Sequence, residues 1–343
     1  MKVLVINSGS SSVKYQVIET TTQKVEIEDN IQRVTDHGAA IQEVFSKVKV
    51  DEIAAVGHRV VNGGEKFTHS VLVADDVIKE MDAIANLAPL HNPANMLGVK
   101  ECRKLMPNVP NVLVFDTAFH TTMDESAFLY GLPYEDYTKY RIRKYGAHGT
   151  SHQYVAEQAA KQLGKPLKDL KLITCHIGNG ASVAAIQNGK CIDTSMGMTP
   201  LAGLVMGTRS GDLDPAILPI LCEKHGFTLP ECIDYLNKQS GLKGLTGISS
   251  DMRDIEAVMD TDARTKVGVD VFLRRIVQYV GGYIAQMKGC DAIVWTGGIG
   301  LHRKWVSERV MEHFTYLPNC QKLVIPTNEE LAIALECEKL LQK

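Results

Sequence analysis

Near its start the chain reads Val3-Leu-Val-Ile-Asn-Ser-Gly-Ser-Ser-Ser-Val-Lys-Tyr-Gln-Val17, the stretch that decides its fold class. The run from Val3 to Ile6 is apolar, largely β-branched and of strand length. After a polar Gly/Ser turn, apolar and polar residues alternate from Val13 to Val17, which is the period of a half-buried strand. The stretch therefore predicts a strand, a tight turn and a second strand.

A segment of the same design recurs about half a chain later. It reads Leu172-Ile-Thr-Cys-His-Ile-Gly-Asn-Gly-Ala-Ser-Val-Ala-Ala-Ile-Gln187 and ends at the turn Asn188-Gly189. One Gly-rich hairpin is weak evidence, but two at equivalent places suggest an internal duplication with one copy per domain. The period is too long for a solenoid.

Other patterns along the chain predict an α/β fold. Short apolar runs predict strands at 112–115, 293–295 and 323–325, and helical periodicity marks 153–163, 214–224, 267–287 and 329–341. The polar segment 18–50 predicts a short strand pair and a helix. Strands that alternate with helices are typical of α/β proteins. Because no low-complexity linker is present, we expect two domains that abut around a cleft.

Composition limits the classes of function. A length of 343 residues predicts two domains at about 150 residues each. The 37 basic and 40 acidic residues give a net charge of −3, which disfavours a nucleic-acid partner. The eight cysteines form no CxxC, which disfavours a zinc ribbon or a redox pair and suits a reducing cytoplasm. We expect no signal peptide and no membrane span, because apolar runs are short.

The glycine turns suggest an anion site. Small residues let a phosphate approach backbone N–H groups, so two such turns across a cleft could hold a polyphosphate. A third glycine turn, Thr296-Gly-Gly-Ile-Gly300, follows an apolar strand. Neither a P-loop nor a dinucleotide fingerprint is present, which disfavours both of those nucleotide-binding classes.

Several charged residues lie beside glycine, proline or a strand end. They are Arg59, His91, Asp116, His148 and Arg209. Ligand sites in open α/β folds lie at strand ends, which favours a functional Asp116. For each residue alone a surface ion pair or a satisfied loop group is the favoured interpretation, whereas their joint occurrence favours a site.

Two further features have simpler interpretations than catalysis. His148 and His152 have the spacing of a metal pair on a helix, but Gly149 and Thr150 are poor helix formers and no HExxH surrounds them. We therefore disfavour a zinc site. Nothing near Cys175 would lower its thiol pKa, so a buried thiol is the simpler interpretation.

Eight short segments, taken in order, form a pattern that is specific as a whole, although no single one is. They are Val5-Ile-Asn-Ser-Gly-Ser-Ser-Ser12, Gly57-His-Arg-Val-Val-Asn-Gly-Gly64, Ala88-Pro-Leu-His-Asn-Pro93, Phe115-Asp-Thr-Ala-Phe-His120, Tyr145-Gly-Ala-His-Gly-Thr-Ser-His152, Cys175-His-Ile-Gly-Asn-Gly180, Met206-Gly-Thr-Arg-Ser-Gly211 and Pro326-Thr-Asn-Glu-Glu330. Together they resemble the acetokinase family of small-carboxylate kinases, which includes acetate kinases.

The resemblance implies a duplicated actin-like ATPase (ribonuclease H-like) fold with a nucleotide cleft. The first domain would comprise 1–120 and 331–343, and the second 121–330. It further implies a cytoplasmic homodimer that reversibly transfers the γ-phosphoryl group of ATP to acetate, giving acetyl phosphate and ADP. Mg²⁺, or Mn²⁺ in its place, would assist, and neither a nucleic acid nor a membrane would be a partner.

The resemblance also implies roles for individual residues. Arg59, Asp116, His148 and Arg209 would be catalytic, since planar guanidinium forks suit carboxylate and phosphoryl oxygens. Substrate binding would involve Arg59, Val61, Leu90, His91 and Pro200. Nucleotide binding would involve Ser10, Ser12, Lys14, His176, Gly178, Asn179, Gly180, Asp251, Met252, Arg253, Gly298 and Ile299. Asn7 and Glu329 would organise the metal, mainly through waters.

Three departures from the family pattern leave alternatives open. Segments 18–50 and 301–322 are short, and the family's Gly-Ile-Gly-Glu-Asn reads Gly298-Ile-Gly-Leu-His302 here, which puts the phosphoryl donor in question. Ala147 replaces a phenylalanine of some members, and a wider pocket could admit propionate or butyrate. The remaining alternatives are a pseudoenzyme that binds nucleotide or acyl phosphate, and a chaperone-like or filament-forming member of the wider fold.

Overall fold

The computed structural model describes residues 1–9, 12–89 and 91–342. The chain forms two compact units. The first unit comprises Met1–Thr121, Ala147–Tyr154 and the chain from Asn328 onward, and the second comprises Thr122–Gly146 and Val155–Thr327.

Each unit is built on one sheet. The strands are β1 (Lys2–Ser8), β2 (Ser12–Glu19), β3 (Lys24–Gln32), β4 (Ala55–Val60), β5 (Val71–Leu72) and β6 (Asn111–Phe115) in the first, and β7 (Lys171–Ile177), β8 (Ala181–Gln187), β9 (Lys190–Thr194), β10 (Ala292–Thr296) and β11 (Gln321–Val324) in the second.

The helices are α1 (His37–Lys47), α2 (Asp75–Ala83), α3 (Asn92–Leu105), α4 (Glu125–Phe128), α5 (Tyr134–Tyr140), α6 (Gly149–Leu163), α7 (Ile217–His225), α8 (Leu229–Lys238), α9 (Gly241–Thr246), α10 (Met252–Glu256), α11 (Ala263–Met287), α12 (Gly297–His302), α13 (Lys304–Met311) and α14 (Glu329–Leu341). Short 3₁₀ helices span Val50–Glu52, Ala85–Leu87, Ala118–Thr122, Leu167–Asp169 and Glu312–Phe314.

The first sheet brings three strand ends side by side. Its order is β3-β2-β1-β4-β6-β5. β1 is antiparallel to β2 but parallel to β4, and β4 is parallel to β6. The carboxyl ends of β1, β4 and β6 therefore meet at one edge, where Asn7, Arg59 and Asp116 lie.

The second sheet repeats this arrangement. Its order is β11-β10-β7-β8-β9, with β7, β8 and β9 antiparallel and β7, β10 and β11 parallel. The same order and directions occur in β6-β4-β1-β2-β3, so the predicted repeat of the hairpin is confirmed. The predicted turn joins β8 to β9, with φ of 56° at Asn188 and 76° at Gly189, as in the tightest hairpin turns.

Helices cover both faces of the first sheet. On one face β1 and β2 pack with α1 and α3, through residues such as Leu4, Val13 and Ile41. On the other face α14 packs against β1 and β4. A Cβ at Gly57 would lie 2.6 Å from the Ile333 side chain, so glycine lets α14 lie close on β4.

Most predicted elements are present, with three corrections. Residues 18–50 contain only one strand that lies wholly within the segment, β3, which pairs with β2, and then α1. β4, β5 and β9 are strands that the sequence analysis did not identify. α6 begins at Gly149 rather than near residue 153, because the Asp116 carbonyl accepts from the Gly149 N–H at 2.8 Å.

Candidate active site

A cluster of polar side chains surrounds Arg59 in the first unit. Its Nη2 lies 2.5 Å from Asp116 Oδ2, and its Nε lies 3.3 Å from Asp116 Oδ1. The guanidinium also donates to Asn7 Oδ1 at 3.4 Å and lies 3.8 Å from Glu329 Oε2. The structure thus brings together four residues that the sequence analysis placed in the site.

Charge and burial in this cluster shift the pKa values of two of its members, Arg59 and Glu329. The negative charge of Asp116 raises the pKa of Arg59, so the guanidinium keeps its positive charge. Burial raises the pKa of Glu329 to about 7, against the lowering effect of Arg59. Asp116 is 1% exposed, whereas the Arg59 side chain is 22% exposed and remains accessible to a small ligand.

The loop before α6 packs against the same strand end. Thr150 Oγ1 donates to Asp116 Oδ1 at 3.3 Å, and a Cβ at Gly149 would overlap the Asp116 carbonyl. His148 has φ of 56°, which is strained for a residue other than glycine. Such strain at a half-buried histidine is typical of functional sites.

His148 and His152 do not form a recognisable metal site in this structure. Their ring centroids lie 6.5 Å apart, and His152 lies 5.7 Å from His120. Within the described ranges, no group of three or more His, Cys, Asp or Glu residues could hold a metal ion.

Of the residues near β2 that were predicted to bind phosphate, Lys14 pairs with two glutamates. Lys14 Nζ lies 2.7 Å from Glu330 Oε1 and 3.6 Å from Glu28 Oε1. Glu330, the neighbour of Glu329, belongs to a quoted motif but was not assigned a role. Ser12 begins β2, and Ser10 lies outside the described residues.

The predicted substrate residues lie in both units. Val61 is buried directly after β4, and its N–H donates to Asn95 Oδ1 at 3.2 Å. His91 is exposed immediately before α3, whereas Leu90 lies outside the described residues. Pro200 lies in the second unit, where its carbonyl accepts from Arg209 Nη1 at 2.8 Å.

Arg209 differs from Arg59 in its surroundings. It is half-buried, and burial lowers the pKa of its guanidinium. In the part of the chain that the structure describes, no carboxylate pairs with it. A half-buried cation with no carboxylate partner attracts an anion more strongly than a fully exposed one, because lower polarity strengthens the interaction.

A cavity of about 770 Å³ lies in the second unit. It is lined by seven residues predicted to bind nucleotide: Gly178, Asn179, Asp251, Met252, Arg253, Gly298 and Ile299. His176 and Gly180 belong to the same hairpin as Gly178, but they are not among the lining residues.

Close backbone packing brings the cavity walls together. A Cβ at Gly297 would lie 2.7 Å from the Ile177 carbonyl oxygen, and one at Gly178 would lie 3.9 Å from the Gly298 nitrogen. The start of α12 therefore lies against the turn between β7 and β8. Small residues at this point leave backbone N–H groups accessible to an anion.

The sequence analysis did not assign Ser250, His302 and Arg303 to this cavity, although they line it. The departure from the family motif after Gly300 was the available signal for His302. Arg303 Nε lies 2.9 Å from Glu256 Oε2, and Trp305 Nε1 donates to Glu256 Oε1 at 2.5 Å. Glu256 therefore anchors this side of the cavity.

Asp251 and Arg253 form an ion pair on another wall. Arg253 Nη2 lies 2.5 Å from Asp251 Oδ2, and Asp251 also accepts from the Arg253 N–H at 2.9 Å. These bonds lower the pKa of Asp251 to about 2. Asp251 caps the start of α10, and both side chains line the cavity.

Two other sequence expectations concern the interior and the membrane. Cys175 is fully buried, and burial raises the pKa of its thiol, so its interpretation as a buried thiol is confirmed. None of the helices in the described ranges is both long enough and apolar enough for a membrane span.

Comparison with known proteins gives the family. A sequence model described as "Acetokinase family" matches residues 23–319. The acetate kinase of Bacillus cytotoxicus is 48% identical over 391 aligned positions, which cover 99% of this chain and 98% of that protein. The chain belongs to the acetokinase family. Its 343 residues are fewer than the 391 aligned positions, so the alignment contains gaps in this chain.

Solved structures of the acetokinase family share the whole fold. The crystal structure of Porphyromonas gingivalis acetate kinase matches with a TM-score of 0.95 at 38% identity, over 99% of each chain. A propionate kinase from Francisella tularensis matches with a TM-score of 0.90 at 38% identity, over 98% of each chain. The resemblance is confirmed: this acetokinase has the duplicated actin-like ATPase fold and is a phosphotransferase with a carboxylate acceptor.

Proposed function

We propose that this acetokinase transfers the γ-phosphoryl group of ATP reversibly to acetate, giving acetyl phosphate and ADP. The observation that carries the proposal is the Arg59 guanidinium, which Asp116 holds at two points while the Arg59 side chain stays partly exposed. The proposal assigns catalytic roles to Arg59, Asp116, His148 and Arg209.

The chemistry explains why arginines rather than a base would carry this reaction. Acetate is ionised at pH 7, so no residue needs to remove a proton from it. The obstacle is the repulsion between two anions, and phosphoryl transfer is catalysed mainly by positioning and charge stabilisation. Arg59 would bind the carboxylate, and Arg209, with no carboxylate partner in the described chain, would stabilise the transferring phosphoryl group.

Other predicted residues would complete the acyl site. Val61 is buried directly after β4, two residues along the chain from Arg59, and would contact the methyl group. Leu90 and Pro200 are proposed as further apolar contacts from the family resemblance alone. His148, held before α6, would donate a hydrogen bond to the transferring group, and His91 would support the same region. Asp116 would keep the Arg59 fork in one orientation.

The cavity of the second unit would hold the nucleotide. A volume of about 770 Å³ is within the range of small-molecule sites. The turn at Gly178 and the start of α12 at Gly298 would face the phosphates, and Asp251 with Arg253 would face the nucleoside. Ser12 and Lys14 would continue the phosphate path.

The residues around Arg59 also suit Mg²⁺. Asn7 offers an amide oxygen and Glu329 a carboxylate, which are the hard oxygen ligands that Mg²⁺ prefers. Since few protein ligands converge, the metal would keep several waters. When bound, it would neutralise charge on the phosphates of the nucleotide. Mn²⁺ would bind the same oxygens.

We further propose that the two structural units are the two actin-like domains and that the protein is a cytoplasmic homodimer. ATP as the phosphoryl donor supports a location in the cytoplasm.

The dimer is supported by exposed aliphatic side chains on α7 and α8, which suit a surface covered by a second copy. They are Ile217, Ile220, Leu229 and Ile233. Analytical ultracentrifugation should give twice the chain mass, and Ile220→Glu with Leu229→Glu should give the single mass. A wild-type protein of single mass would overturn the dimer.

Hydroxylamine trapping of acyl phosphate tests the function directly. Purified protein with Mg²⁺ is incubated with acetate, propionate or butyrate, each combined with ATP, GTP or pyrophosphate. We expect hydroxamate from acetate with ATP, and loss of product when the metal is chelated. If no combination of donor and acid gives product, and the protein still binds nucleotide, the protein is a pseudoenzyme instead.

Propionate is the second candidate acid. A propionate kinase is among the similar structures, and the small Ala147 is buried in the loop before His148. The ratio of kcat/KM for acetate to that for propionate decides between them. A ratio below one would retain the mechanism and change the substrate.

A further inference from the structure

The loop that carries Arg209 is fastened at its two ends. We define the arginine loop as residues 203–212. The Asp212 N–H donates to the Gly203 carbonyl at 3.0 Å, and the Gly203 N–H donates to Asp212 Oδ1 at 2.7 Å. One backbone bond and one side-chain bond therefore close the loop at its base.

The second oxygen of the Asp212 carboxylate binds a helix. Tyr279 on α11 donates its hydroxyl to Asp212 Oδ2 at 2.5 Å. Gln286, two turns further along α11, donates to Asp193 Oδ2 at 3.0 Å. Because residues at this spacing share one side of a helix, α11 holds both the end of β9 and the base of the arginine loop.

The backbone of the arginine loop leaves little room for rearrangement. Gly211 has φ of 70° and Gly203 has φ of 98°, a region that side chains rarely adopt. A Cβ at Gly211 would lie 2.5 Å from the Gly203 carbonyl oxygen. The loop is also tied to the β7–β8 turn, because the Gly207 N–H donates to the Asn179 carbonyl at 3.0 Å. The bonds of the Asp212 carboxylate add a further restraint at the base of the loop, and their loss would remove it.

We propose that Asp212 and Tyr279 are positioning residues that fix the arginine loop and, through it, the orientation of Arg209. This inference rests on the proposed phosphoryl transfer, in which Arg209 stabilises the transferring group. Neither Asp212 nor Tyr279 is among the residues that line the nucleotide cavity. Displacement of a catalytic group by about 1 Å can cost as much as ~10²-fold in rate, so a fastening bond has a measurable kinetic effect.

Steady-state kinetics of three variants tests the proposal. Asp212→Ala removes the two bonds of the carboxylate, to the Gly203 N–H and to the Tyr279 hydroxyl. We expect kcat to fall at least about tenfold while KM for ATP stays within about twofold, since Asp212 does not line the nucleotide cavity. Asp212→Asn retains an acceptor for the Gly203 N–H and should restore kcat to within about threefold of wild type. Tyr279→Phe removes one hydroxyl, and its kcat should lie between those of Asp212→Ala and Asp212→Asn.

Matched controls separate this effect from general damage. Asp234 is an exposed aspartate of the same unit, paired with Lys238, and Tyr316 is an exposed tyrosine. Asp234→Ala and Tyr316→Phe should leave kcat and KM unchanged. Thermal unfolding followed by circular dichroism checks that each variant is folded. If Asp212→Ala is not folded, the kinetics of Tyr279→Phe test the proposal.

Three outcomes overturn the inference. In the first, the wild type is active and kcat of both Tyr279→Phe and Asp212→Ala lies within about twofold of the wild-type value. This result overturns the positioning role and leaves the proposed function untouched. A parallel loss of kcat and ATP affinity that Asp212→Asn does not restore assigns Asp212 a purely structural role. An inactive wild type overturns the proposed function and, with it, the role of Arg209.

Discussion

Arg59 and Asp116 form a two-point ion pair across the ends of the neighbouring parallel strands β4 and β6, with Nη2 and Oδ2 2.5 Å apart. Asp116 is almost fully buried, while Arg59 is partly accessible. The buried Asp116 therefore fixes the guanidinium, and the Arg59 side chain stays partly accessible to a ligand. This asymmetry is what a substrate clamp requires, because a planar fork binds a carboxylate only in one orientation.

Replacement of Asp116 by asparagine keeps its volume and removes its charge. We expect acyl phosphate formation to fall by about 10²-fold, because the Arg59 fork loses its fixed orientation. The free energy of unfolding should fall by roughly 3 kcal/mol, as for other broken buried ion pairs. Hydroxamate assays and denaturant unfolding measure the two effects.

A matched control for Asp116→Asn is available on the surface. Asp75 pairs with Arg103 at 2.9 Å, and its side chain is 84% exposed. Asp75→Asn should alter neither activity nor stability, since exposed ion pairs contribute little. Wild-type kcat in Asp116→Asn would contradict the orienting role.

Removal of the Arg209 guanidinium should separate binding from catalysis. We expect Arg209→Ala to lower kcat by about 10³-fold or more, as for other arginines that stabilise phosphoryl transfer. ADP affinity, measured by calorimetry, should persist because Arg209 does not line the nucleotide cavity. Arg309, which pairs with Asp270 on the surface, gives the control Arg309→Ala. If Arg209→Ala turns over near the wild-type rate, the clamp assignment is wrong.

Gly298 offers a way to fill the nucleotide cavity without disturbing the protein. A Cβ at Gly298 meets no atom within 4 Å, so a larger side chain enters the cavity. We expect Gly298→Leu to raise KM for ATP by about tenfold or more, equivalent to ~1.4 kcal/mol. Thermal stability should hold or rise, because leucine favours a helix over glycine by up to ~1 kcal/mol.

Gly282 provides the control for this substitution. It lies on α11, and a Cβ there also meets no atom within 4 Å. Gly282→Leu should affect stability in the same direction and leave KM unchanged. An unchanged KM in Gly298→Leu would place the nucleotide elsewhere.

His58 makes stability depend on pH. Its ring is buried and donates from Nε2 to Asn111 Oδ1 at 2.7 Å, and burial lowers its pKa to about 4. Because the unfolded chain binds a proton below pH ~6.5 and the folded chain does not, stability is complete above that pH and declines toward pH 4. The decline attributable to His58 is at most about 3 kcal/mol.

Guanidinium unfolding followed by far-ultraviolet circular dichroism measures this dependence between pH 4.5 and 8. His58→Gln should flatten the curve below pH 6.5 relative to wild type. Equal slopes for the two proteins would show that His58 does not titrate on unfolding. An NMR titration of the wild-type imidazole gives the same answer where the variant is too unstable.

Local pattern was sufficient for several elements of the fold. The hairpins β1–β2 and β7–β8 follow from alternation and glycine turns, and helical periodicity predicts the bounds of α14. β4 was missed because His58 and Arg59 interrupt its apolar run. Its strand state depends on pairing with β1 and β6, which lie far away in sequence. The start of α6 was missed because a bond to the distant Asp116 carbonyl sets it.

The sequence by itself determined the family, the repeated hairpin and the residue types that suit a carboxylate kinase, because these depend on short motifs and local periodicity. Only the tertiary structure decided that Asp116 holds Arg59, that burial raises the pKa of Glu329, and that His302 and Arg303 line the cavity. The physical reason is that burial and ion pairing depend on residues remote along the chain. Their distances are set when strands pair and helices pack, and no local pattern records them.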